Sequence, residues 1–326
     1  MSQLIHVAAG AIADADGRIL LARRPDKVHQ GGLWELPGGK LEPGETPEQG
    51  LIRELREELG IDVSASRPLI RVRHDYGDRR VLLDVHRVLA YEGRPAGREG
   101  QPLSWLHPDA MDPDRLPAAD RPVISALRLP DRYLITGDDP KDPDRFLAQL
   151  AQALDNGLRL VQLRAHGRPD AAFAELVGAA HLLCQRHDAK LILNRTAGIA
   201  AALPCDGLHL SAAALRALDR RPQGAWGLIG ASCHDADELA LASSLSLDYA
   251  LLSPVQATKS HPGRSPLGWE RFHVLVDAAT LPVYALGGLG PGDLDHAIRH
   301  GAQGIAAISA FWPGDPEAQV DASTHT

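Results

Sequence analysis

The sequence predicts an α/β protein with two domains and a flexible tail: residues 1–128 form the first domain, residues 129–314 a compact (β/α)8 barrel, and residues 315–326 the tail. Three observations favour this prediction. At 326 residues, the chain is long for a single domain. Its N-terminal part combines apolar strand-like stretches with one strongly patterned helix. After Pro130, short apolar stretches alternate with longer helical ones, which is typical of a parallel barrel.

Composition limits the classes of function. Hydrophobic residues make up 44% of the chain and charged residues 23%, as in ordinary soluble globular proteins. The formal net charge of -8 argues against direct nucleic-acid binding and favours a small-molecule substrate. The three cysteines lack metal or redox spacing. No apolar run approaches the ~20 residues that span a bilayer, and the start of the chain lacks a signal-peptide pattern. We therefore expect a cytoplasmic protein without membrane contact.

The first domain begins with strand patterns. Residues 4–13 are apolar, and a turn leads to a returning strand at residues 18–22. A further strand is predicted at residues 81–91. Residues 97–102 are polar and read as a loop, and residues 116–124 lead into a short C-terminal helix.

One helix, over residues 46–60, carries a concentrated set of acidic side chains. Thr46 and Gln49 form a capping-box pattern, and Gly60 ends the helix. Leucines at every fourth position predict a buried face. Three carboxylates lie together on another face: Glu54, Glu57 and Glu58. Because like charges at this spacing repel one another, the pattern favours a hard cation such as Mg²⁺ or Mn²⁺ between them. A solvated acidic face is the alternative.

The helix is part of a longer pattern, Gly-x5-Glu-x7-Arg-Glu-U-x-Glu-Glu-x-Gly-U, in which U is aliphatic. Every fixed position is matched, by Gly39, Glu45, Arg53, Glu54, Leu55, Glu57, Glu58, Gly60 and Ile61. This pattern is the Nudix box, and the domain therefore resembles the Nudix hydrolases. The resemblance implies an α/β/α sandwich with a mixed sheet and metal-dependent hydrolysis of a diphosphate bond.

Segments outside the box resemble the MutT branch of that family, which acts on oxidised guanine nucleotides. These segments are Arg23-Arg24 and residues 34–40, 97–102 and 117–124. The resemblance implies a nucleotide substrate, 8-oxo-dGTP, cleaved to 8-oxo-dGMP and pyrophosphate. Such an activity would sanitise the nucleotide pool and so connect the protein with DNA replication and DNA repair.

The resemblance also implies roles for individual residues. The metal ligands would be one carbonyl and four carboxylates: Gly38, Glu54, Glu57, Glu58 and Glu99. Mg²⁺ or Mn²⁺ is the expected cofactor. The catalytic residues would be Glu54 as general base or water-orienting group, Arg53 as the residue that orients the carboxylates, and Glu45 as support for the loop and helix.

Five residues are expected to contact the nucleotide: Arg24, Leu36, Lys40, Tyr76 and Asp120. Arg24 and Lys40 suit phosphates. Asp120 would read the oxidised purine, although the bacterial pattern has Asn there, and an ionised Asp accepts hydrogen bonds without donating any. Leu36 replaces a Phe of that pattern, and Tyr76 is expected to supply part of the stacking surface in its place.

The second domain contains eight predicted strands separated by helical stretches such as residues 143–156 and 170–187. The strands are Tyr133–Thr136, Leu158–Leu163, Lys190–Asn194, Gly207–Leu210, Gly227–Ala231, Tyr249–Ser253, Val283–Leu286 and Gly304–Ile308. Polar residues gather at the strand ends, where TIM barrels carry their sites.

This half resembles the thiamine-phosphate synthase family and its thiazole tautomerase relatives, through segments such as residues 161–164, 230–234 and 253–260. The ligand candidates are Gln162, Arg164, Asn194, Ser232, His234, Thr258, Ser260, Gly287, Gly288 and Ser309. Among them, His234 is a candidate acid/base, with a structural hydrogen bond as the alternative.

Several residues depart from the pattern that a synthase needs. Arg195 and Ala214 replace two aspartates that would bind Mg²⁺, and His166 and His261 replace lysines. We therefore expect a barrel of degenerate activity, and three roles stay open: residual synthase chemistry, a tautomerase-like or phosphate- and thiazole-binding role, and a structural or regulatory role.

For the first domain, hydrolysis of a thiamine-pathway or other nucleotide pyrophosphate is the alternative. Whether the chain forms a homodimer is also open.

Overall fold

The computed structural model describes residues 4–137, 142–258 and 265–312. The chain divides into two compact units, with the boundary between Arg128 and Leu129. We call them the N-terminal unit and the barrel. The tail predicted at residues 315–326 lies outside the described residues, as do Ser260 and His261.

The N-terminal unit contains seven strands and two α-helices among its described residues. The strands are β1 (Leu4–Ile12), β2 (Ile19–Arg23), β3 (Trp34–Glu35), β4 (Gly38–Lys40), β5 (Asp62–Asp75), β6 (Arg80–Glu92) and β7 (Leu103–Leu106). The helices are α1 (Pro47–Leu59) and α2 (Arg121–Arg128), the second preceded by three short 3₁₀ turns.

A mixed sheet forms the centre of this unit. Its strand order is β4-β1-β6-β5, in which β1 and β6 are parallel and the other pairs antiparallel. A smaller antiparallel sheet has the order β3-β2-β7. Successive residues of β1 enter different core clusters: Ala8 packs with the leucines of α1, whereas Ala9 packs with residues of α2. The mixed α/β fold expected from the sequence is therefore confirmed.

The capping pattern of α1 forms as predicted. The Thr46 hydroxyl accepts a hydrogen bond from the Gln49 N–H at 3.3 Å, and the Gln49 side-chain oxygen accepts one from the Thr46 N–H at 2.9 Å. Gly60 then ends the helix with φ of 70°, a left-handed conformation that glycine adopts without steric cost. These local contacts fix where the acidic helix begins and ends.

The barrel is a closed ring of eight parallel strands, in the order in which they follow along the chain. They are β8 (Arg132–Ile135), β9 (Leu160–Leu163), β10 (Lys190–Leu193), β11 (Gly207–Leu210), β12 (Leu228–Cys233), β13 (Tyr249–Leu252), β14 (Val283–Leu286) and β15 (Gly304–Ala307). The expectation of an eight-stranded TIM barrel is confirmed.

Helices lie between the barrel strands. Those within the described residues are α3 (Pro143–Asp155), α4 (Asp170–Arg186), α5 (Ala197–Ala200), α6 (Ala212–Arg216), α7 (Ala236–Ser244), α8 (Gly268–Ala278) and α9 (Leu294–Arg299). None of the helices that the structure describes is long and apolar enough to cross a membrane.

The longest strand of the N-terminal unit, β5, is not predicted by the sequence pattern. β5 carries arginines and a proline between its apolar residues, and its pairing with β6 shifts register at three points. A strand with such bulges does not show the regular alternation that identifies strands in a sequence. The short strands β3, β4 and β7 were also missed.

Candidate active site

The Nudix box brings a strand and a helix together. β4 pairs with β1, with Gly38 opposite Ala9, and Gly38 approaches the β1 backbone so closely that a side chain would clash with the Ala8 carbonyl. The Gly38 N–H donates a hydrogen bond to the Glu58 carboxylate at 3.2 Å. Gly38 and Gly39 therefore place the backbone of β4 directly beside the acidic face of α1.

Arg53 organises the carboxylates of the box. Its guanidinium donates to both carboxylate oxygens of Glu45, at 2.8 and 2.9 Å, and to Glu54 at 2.8 Å. It also donates to Glu57 at 3.3 Å and to the Lys40 carbonyl at 3.0 Å. Hydrogen bonds from Arg53, and then from the Glu42 backbone, lower the pKa of Glu45 to about 2. These contacts fit the positioning roles predicted for Arg53 and Glu45.

Three other acidic side chains act on Glu58 through their charges. Burial, followed by the neighbouring charge of Glu54, raises the pKa of Glu58 to about 7, and the charges of Glu99 and Glu35 act in the same direction. The exposed Glu99 thus belongs to the same electrostatic neighbourhood as the helix glutamates, although it is 41 positions away from Glu58 in sequence. The structure therefore places Glu54, Glu58 and Glu99 close enough for their charges to interact.

The donor set fits a hard divalent cation. Carboxylate oxygens and a backbone carbonyl are the ligands that Mg²⁺ and Mn²⁺ prefer, and the crowding of carboxylates raises the energy of the ionised Glu58. Arg53 binds Glu54 and Glu57 in this structure, and no three His, Cys, Asp or Glu side chains of the described residues converge in metal-binding geometry. In this arrangement Glu54 and Glu57 are paired with Arg53, which holds both carboxylates on the acidic face of α1.

Asp120 is a buried acidic residue near the start of the box. It is 6% exposed, and the Leu36 N–H donates a hydrogen bond to its carboxyl group. Burial, followed by the charge of Glu35, raises the pKa of Asp120 to about 8. Tyr76 is close to Asp120, and its hydroxyl accepts a hydrogen bond from the Ala119 N–H at 3.2 Å. The carboxyl group is therefore predominantly protonated at neutral pH.

The other predicted substrate residues differ in accessibility. Lys40 is exposed at the end of β4, whereas Leu36 is 4% exposed and packs in the core. Arg24 forms an ion pair with Glu35 and donates to the His29 carbonyl at 3.1 Å.

Glu35 is a site residue that the sequence analysis missed. Its charge raises the pKa of both Glu58 and Asp120, so Glu35 is close to both carboxyl groups. Burial raises the pKa of Glu35, and its ion pair with Arg24 opposes that shift. Its position between Trp34 and the glycines of β4 is the only signal in the sequence that could have identified it.

The barrel encloses a buried hydrogen-bond network. The Tyr133 and Tyr249 hydroxyls lie 2.8 Å apart, and the Gln162 amide donates to Tyr133 at 3.3 Å. Asn194 donates to the Gln162 oxygen at 2.9 Å. His209 lies 3.3 Å from the Tyr249 hydroxyl and 2.9 Å from the Ser232 hydroxyl, and burial lowers its pKa to about 3.

This network connects three of the predicted ligand candidates, namely Gln162, Asn194 and Ser232. It also adds His209, a neutral histidine that the sequence analysis did not select. A lone histidine in an apolar strand carries no periodic signal, so only the closed barrel reveals its partners.

His234 follows β12 and is held at two points. Its Nδ1 lies 2.8 Å from the Ser253 carbonyl, and its backbone N–H donates to Glu238 at 2.7 Å. A carbonyl partner requires a proton on Nδ1. The remaining candidates that the structure describes also follow or approach strand ends: Arg164, Thr258, Gly287, Gly288 and Ser309.

The residues at the expected Mg²⁺ positions of the barrel do not fit that ion. Arg195 donates to the carbonyls of His166, Ala165 and Arg168 at 3.1, 2.6 and 2.8 Å, and its guanidinium lies 4.3 Å from the Phe173 ring centre. Ala214, in α6, has no ligating side chain. A fixed cation and a methyl group therefore stand where the resemblance would require carboxylates.

Fold and site define a Nudix-type hydrolase unit followed by a (β/α)8 barrel. Residues 8–126 match the family described as "NUDIX domain", and residues 132–311, more than half of the chain, match the family described as "Thiamine monophosphate synthase". The chain belongs to the Nudix family through its N-terminal unit and to the thiamine monophosphate synthase family through its barrel. Both resemblances inferred from the sequence are confirmed.

Individual relatives support both assignments. The 8-oxo-dGTP diphosphatase of Proteus vulgaris is 47% identical over 96 residues, 29% of this chain and 86% of the relative. The CTP pyrophosphohydrolase of Escherichia coli (strain K12) is 40% identical over 125 residues, 38% of this chain and 92% of the relative. The thiamine-phosphate synthase of Thermosynechococcus vestitus is 31% identical over 188 residues, 57% of this chain and 52% of the relative, so the chain spans about half of that protein.

Proposed function

We propose that the protein hydrolyses 8-oxo-dGTP to 8-oxo-dGMP and pyrophosphate, using Mg²⁺ or Mn²⁺, and thereby removes a mutagenic precursor before DNA replication. The observation that carries this proposal is the acidic cluster beside Gly38, combined with the buried Asp120, whose pKa is raised by burial to about 8. Relatives named 8-oxo-dGTP diphosphatase are similar to the N-terminal unit. A small-molecule nucleotide is therefore the proposed substrate, without direct nucleic-acid binding.

In this proposal the metal ligands are the Gly38 carbonyl and the carboxylates of Glu54, Glu57, Glu58 and Glu99. A bound divalent cation neutralises phosphate charge and lowers the pKa of a coordinated water. Arg53 orients Glu54 and Glu57, and Glu45 fixes Arg53 through two hydrogen bonds. Glu54 is the proposed general base, because its carboxylate is partly buried and held in one orientation.

Asp120 is the proposed reader of the oxidised base. A protonated carboxyl group both donates and accepts hydrogen bonds, as the amide of Asn does. It can donate to a ring carbonyl of 8-oxoguanine and accept from the additional N7–H. Because burial raises the pKa of Asp120, its carboxyl group does not carry the negative charge that would repel the ring oxygen.

The phosphates would meet Lys40 and Arg24. Lys40 is exposed at the end of β4, within the box. Arg24 would contribute once its ion pair with Glu35 opens toward the nucleotide. Leu36 and Tyr76 complete the proposed nucleotide site, with Tyr76 as the aromatic surface beside Asp120.

A pyrimidine nucleotide or another pyrophosphate is the second candidate substrate. The similarity to a CTP pyrophosphohydrolase supports it, as does the fusion to a barrel of the thiamine monophosphate synthase family. Pyrophosphate release by the full chain from 8-oxo-dGTP, dGTP, CTP and hydroxymethylpyrimidine pyrophosphate separates these alternatives. We expect the highest kcat/KM for 8-oxo-dGTP, and an equal value for dGTP would overturn the proposed specificity.

For the barrel, we propose an accessory module that binds a phosphate- or thiazole-containing ligand without Mg²⁺-dependent synthase activity. Arg195 and Ala214 support the loss of the metal, whereas the polar network at Gln162 and the glycines after β14 support the retention of a ligand. Calorimetry of the full chain with thiazole phosphate tests this role. Heat of binding that is the same with and without Mg²⁺ is expected, and absence of binding would favour a structural role.

The domain limits that follow are residues 1–128 for hydrolysis and residues 129–314 for the accessory barrel, with residues 315–326 as a tail. Sedimentation of the full chain distinguishes a monomer from the alternative of a homodimer.

A further inference from the structure

The last turn of α1 is closed by the loop that carries Glu99. The final carbonyl groups of a helix have no partner within the helix. Here the Glu58 carbonyl accepts a hydrogen bond from the Arg98 N–H at 2.9 Å, and the Leu59 carbonyl accepts one from the Ala96 N–H at 3.0 Å. The loop that carries Glu99 is therefore hydrogen-bonded to the C-terminal end of α1, the helix that presents the acidic cluster.

The Gln101 side chain joins the two acidic segments directly. Its Nε2 donates to the same Glu58 carbonyl at 3.2 Å, and its Oε1 accepts from the Glu99 N–H at 2.9 Å. One amide group thus bridges the backbone of Glu58 and the backbone of Glu99. Both acids are candidate metal ligands, and their charges already interact.

Two glycines leave the space that this bridge needs. A side chain on Gly60 would clash with the Arg98 guanidinium, and one on Gly97 would lie 3.1 Å from the Gln101 Oε1. Gly60 is a fixed position of the Nudix box, and its φ of 70° also ends α1. The close packing of Arg98 and Gln101 against these glycines limits how far the loop can move from the helix.

We propose that Gln101 is a positioning residue, which holds Glu99 beside Glu58 so that both carboxylates can bind the same divalent cation. The inference rests on the proposed metal-dependent hydrolysis, and it adds a side chain that contacts neither metal nor nucleotide. Because the Gln101 amide fixes both backbone segments, Glu99 is already restrained before a metal binds. It therefore loses less conformational freedom on binding. Residues that orient metal ligands affect metal affinity in this way.

Gln101→Met tests the bridge, because methionine has a similar length but provides no amide donor or acceptor. Gln49→Met is the matched control, since the Gln49 side chain bonds to backbone at the other end of α1 and lies away from Glu99. Mn²⁺ binding to the full-length protein, measured by electron paramagnetic resonance, is the readout besides activity. We expect Gln101→Met to weaken Mn²⁺ binding by about tenfold or more, and Gln49→Met to leave it unchanged at comparable thermal stability.

Mn²⁺ affinity equal to the wild-type value in Gln101→Met would overturn the inference, and so would equal losses in both variants, which would indicate general loosening of α1. A wild-type chain that binds no Mn²⁺ would overturn it as well. If the wild type binds Mn²⁺ but does not cleave 8-oxo-dGTP, the proposed substrate is wrong while the binding comparison still decides the role of Gln101. In Gln101→Met, a rise in the metal concentration needed for half-maximal hydrolysis, without a matching fall in kcat, would further support the positioning role of Gln101.

Discussion

Gly39 packs directly against the carboxyl group of Glu54. A methyl group at Gly39 would lie inside van der Waals contact with all three heavy atoms of that carboxyl group. The first glycine of the Nudix box thus leaves the space in which the proposed general base is held, while Arg53 fixes the same carboxylate from the other side at 2.8 Å.

Gly39→Ala should displace the Glu54 carboxylate and lower kcat for 8-oxo-dGTP. A displaced general base forfeits a contribution of about 10²-fold or more. Steady-state kinetics and thermal melting of the full chain measure the two effects separately. Gly44→Ala is the control, because a methyl group at Gly44 meets nothing within 4 Å, although its φ of 90° introduces strain. Equal losses of kcat in both variants would show that the contact with Glu54 is unimportant.

Glu54→Gln should abolish most of the turnover with little loss of fold. The substitution keeps the size of the side chain but removes its charge and its basicity, so we expect kcat to fall by about 10²- to 10⁴-fold. The exposed Glu48, in the first turn of the same helix, provides the matched Glu→Gln control. Near-normal turnover of Glu54→Gln would mean that another carboxylate serves as the base.

Asp120→Asn should remove a pH dependence of substrate preference. Because the pKa of Asp120 is raised to about 8, the wild-type carboxyl is protonated below that pH and ionised above it. The wild-type ratio of kcat/KM for 8-oxo-dGTP over dGTP should therefore decline as pH rises through about 8. The Asn variant, which does not titrate, should show a constant ratio. A parallel decline in both proteins would assign the titration to another group.

The same substitution should alter the pH dependence of stability. Folding raises the pKa of Asp120 from 3.8 to about 8, so between these values the folded state holds a proton that the unfolded state releases. This contribution favours the folded state at low pH and is lost as pH rises, with a limiting slope of about 1.4 kcal/mol per pH unit. Urea unfolding should show that Asp120→Asn gains stability relative to wild type as pH rises through this window. A pH-independent difference would contradict the burial of a protonated carboxyl.

Tyr249→Phe should destabilise the barrel. The change deprives Tyr133 and His209 of a buried partner, which costs about 1–3 kcal/mol of unfolding free energy. Tyr284→Phe is the comparison, since the Tyr284 hydroxyl bonds to the Pro130 carbonyl outside this network. Denaturant unfolding of the full chain measures both, and a smaller loss is expected for Tyr284→Phe. An unchanged midpoint for Tyr249→Phe would mean that water replaces the missing hydroxyl.

The sequence by itself determined those features that depend on short stretches of chain. The Thr46 capping box, the end of α1 at Gly60 and the grouping of Glu54, Glu57 and Glu58 on one face all follow from spacing along a single helix. The eight barrel strands were recognised because each is a short apolar run between helical segments. The family of each half follows from such local patterns as well.

Only the tertiary structure decided which distant groups share an environment. Glu35 affects the pKa of Asp120, the Gln101 amide reaches the Glu58 carbonyl 43 positions away, and Arg195 binds the carbonyls after β9, although no local spacing relates these pairs. The protonation of Asp120 is the clearest case. Its side-chain type is fixed by the sequence, but its pKa depends on desolvation and on neighbouring charge, and both arise only when the chain packs around it.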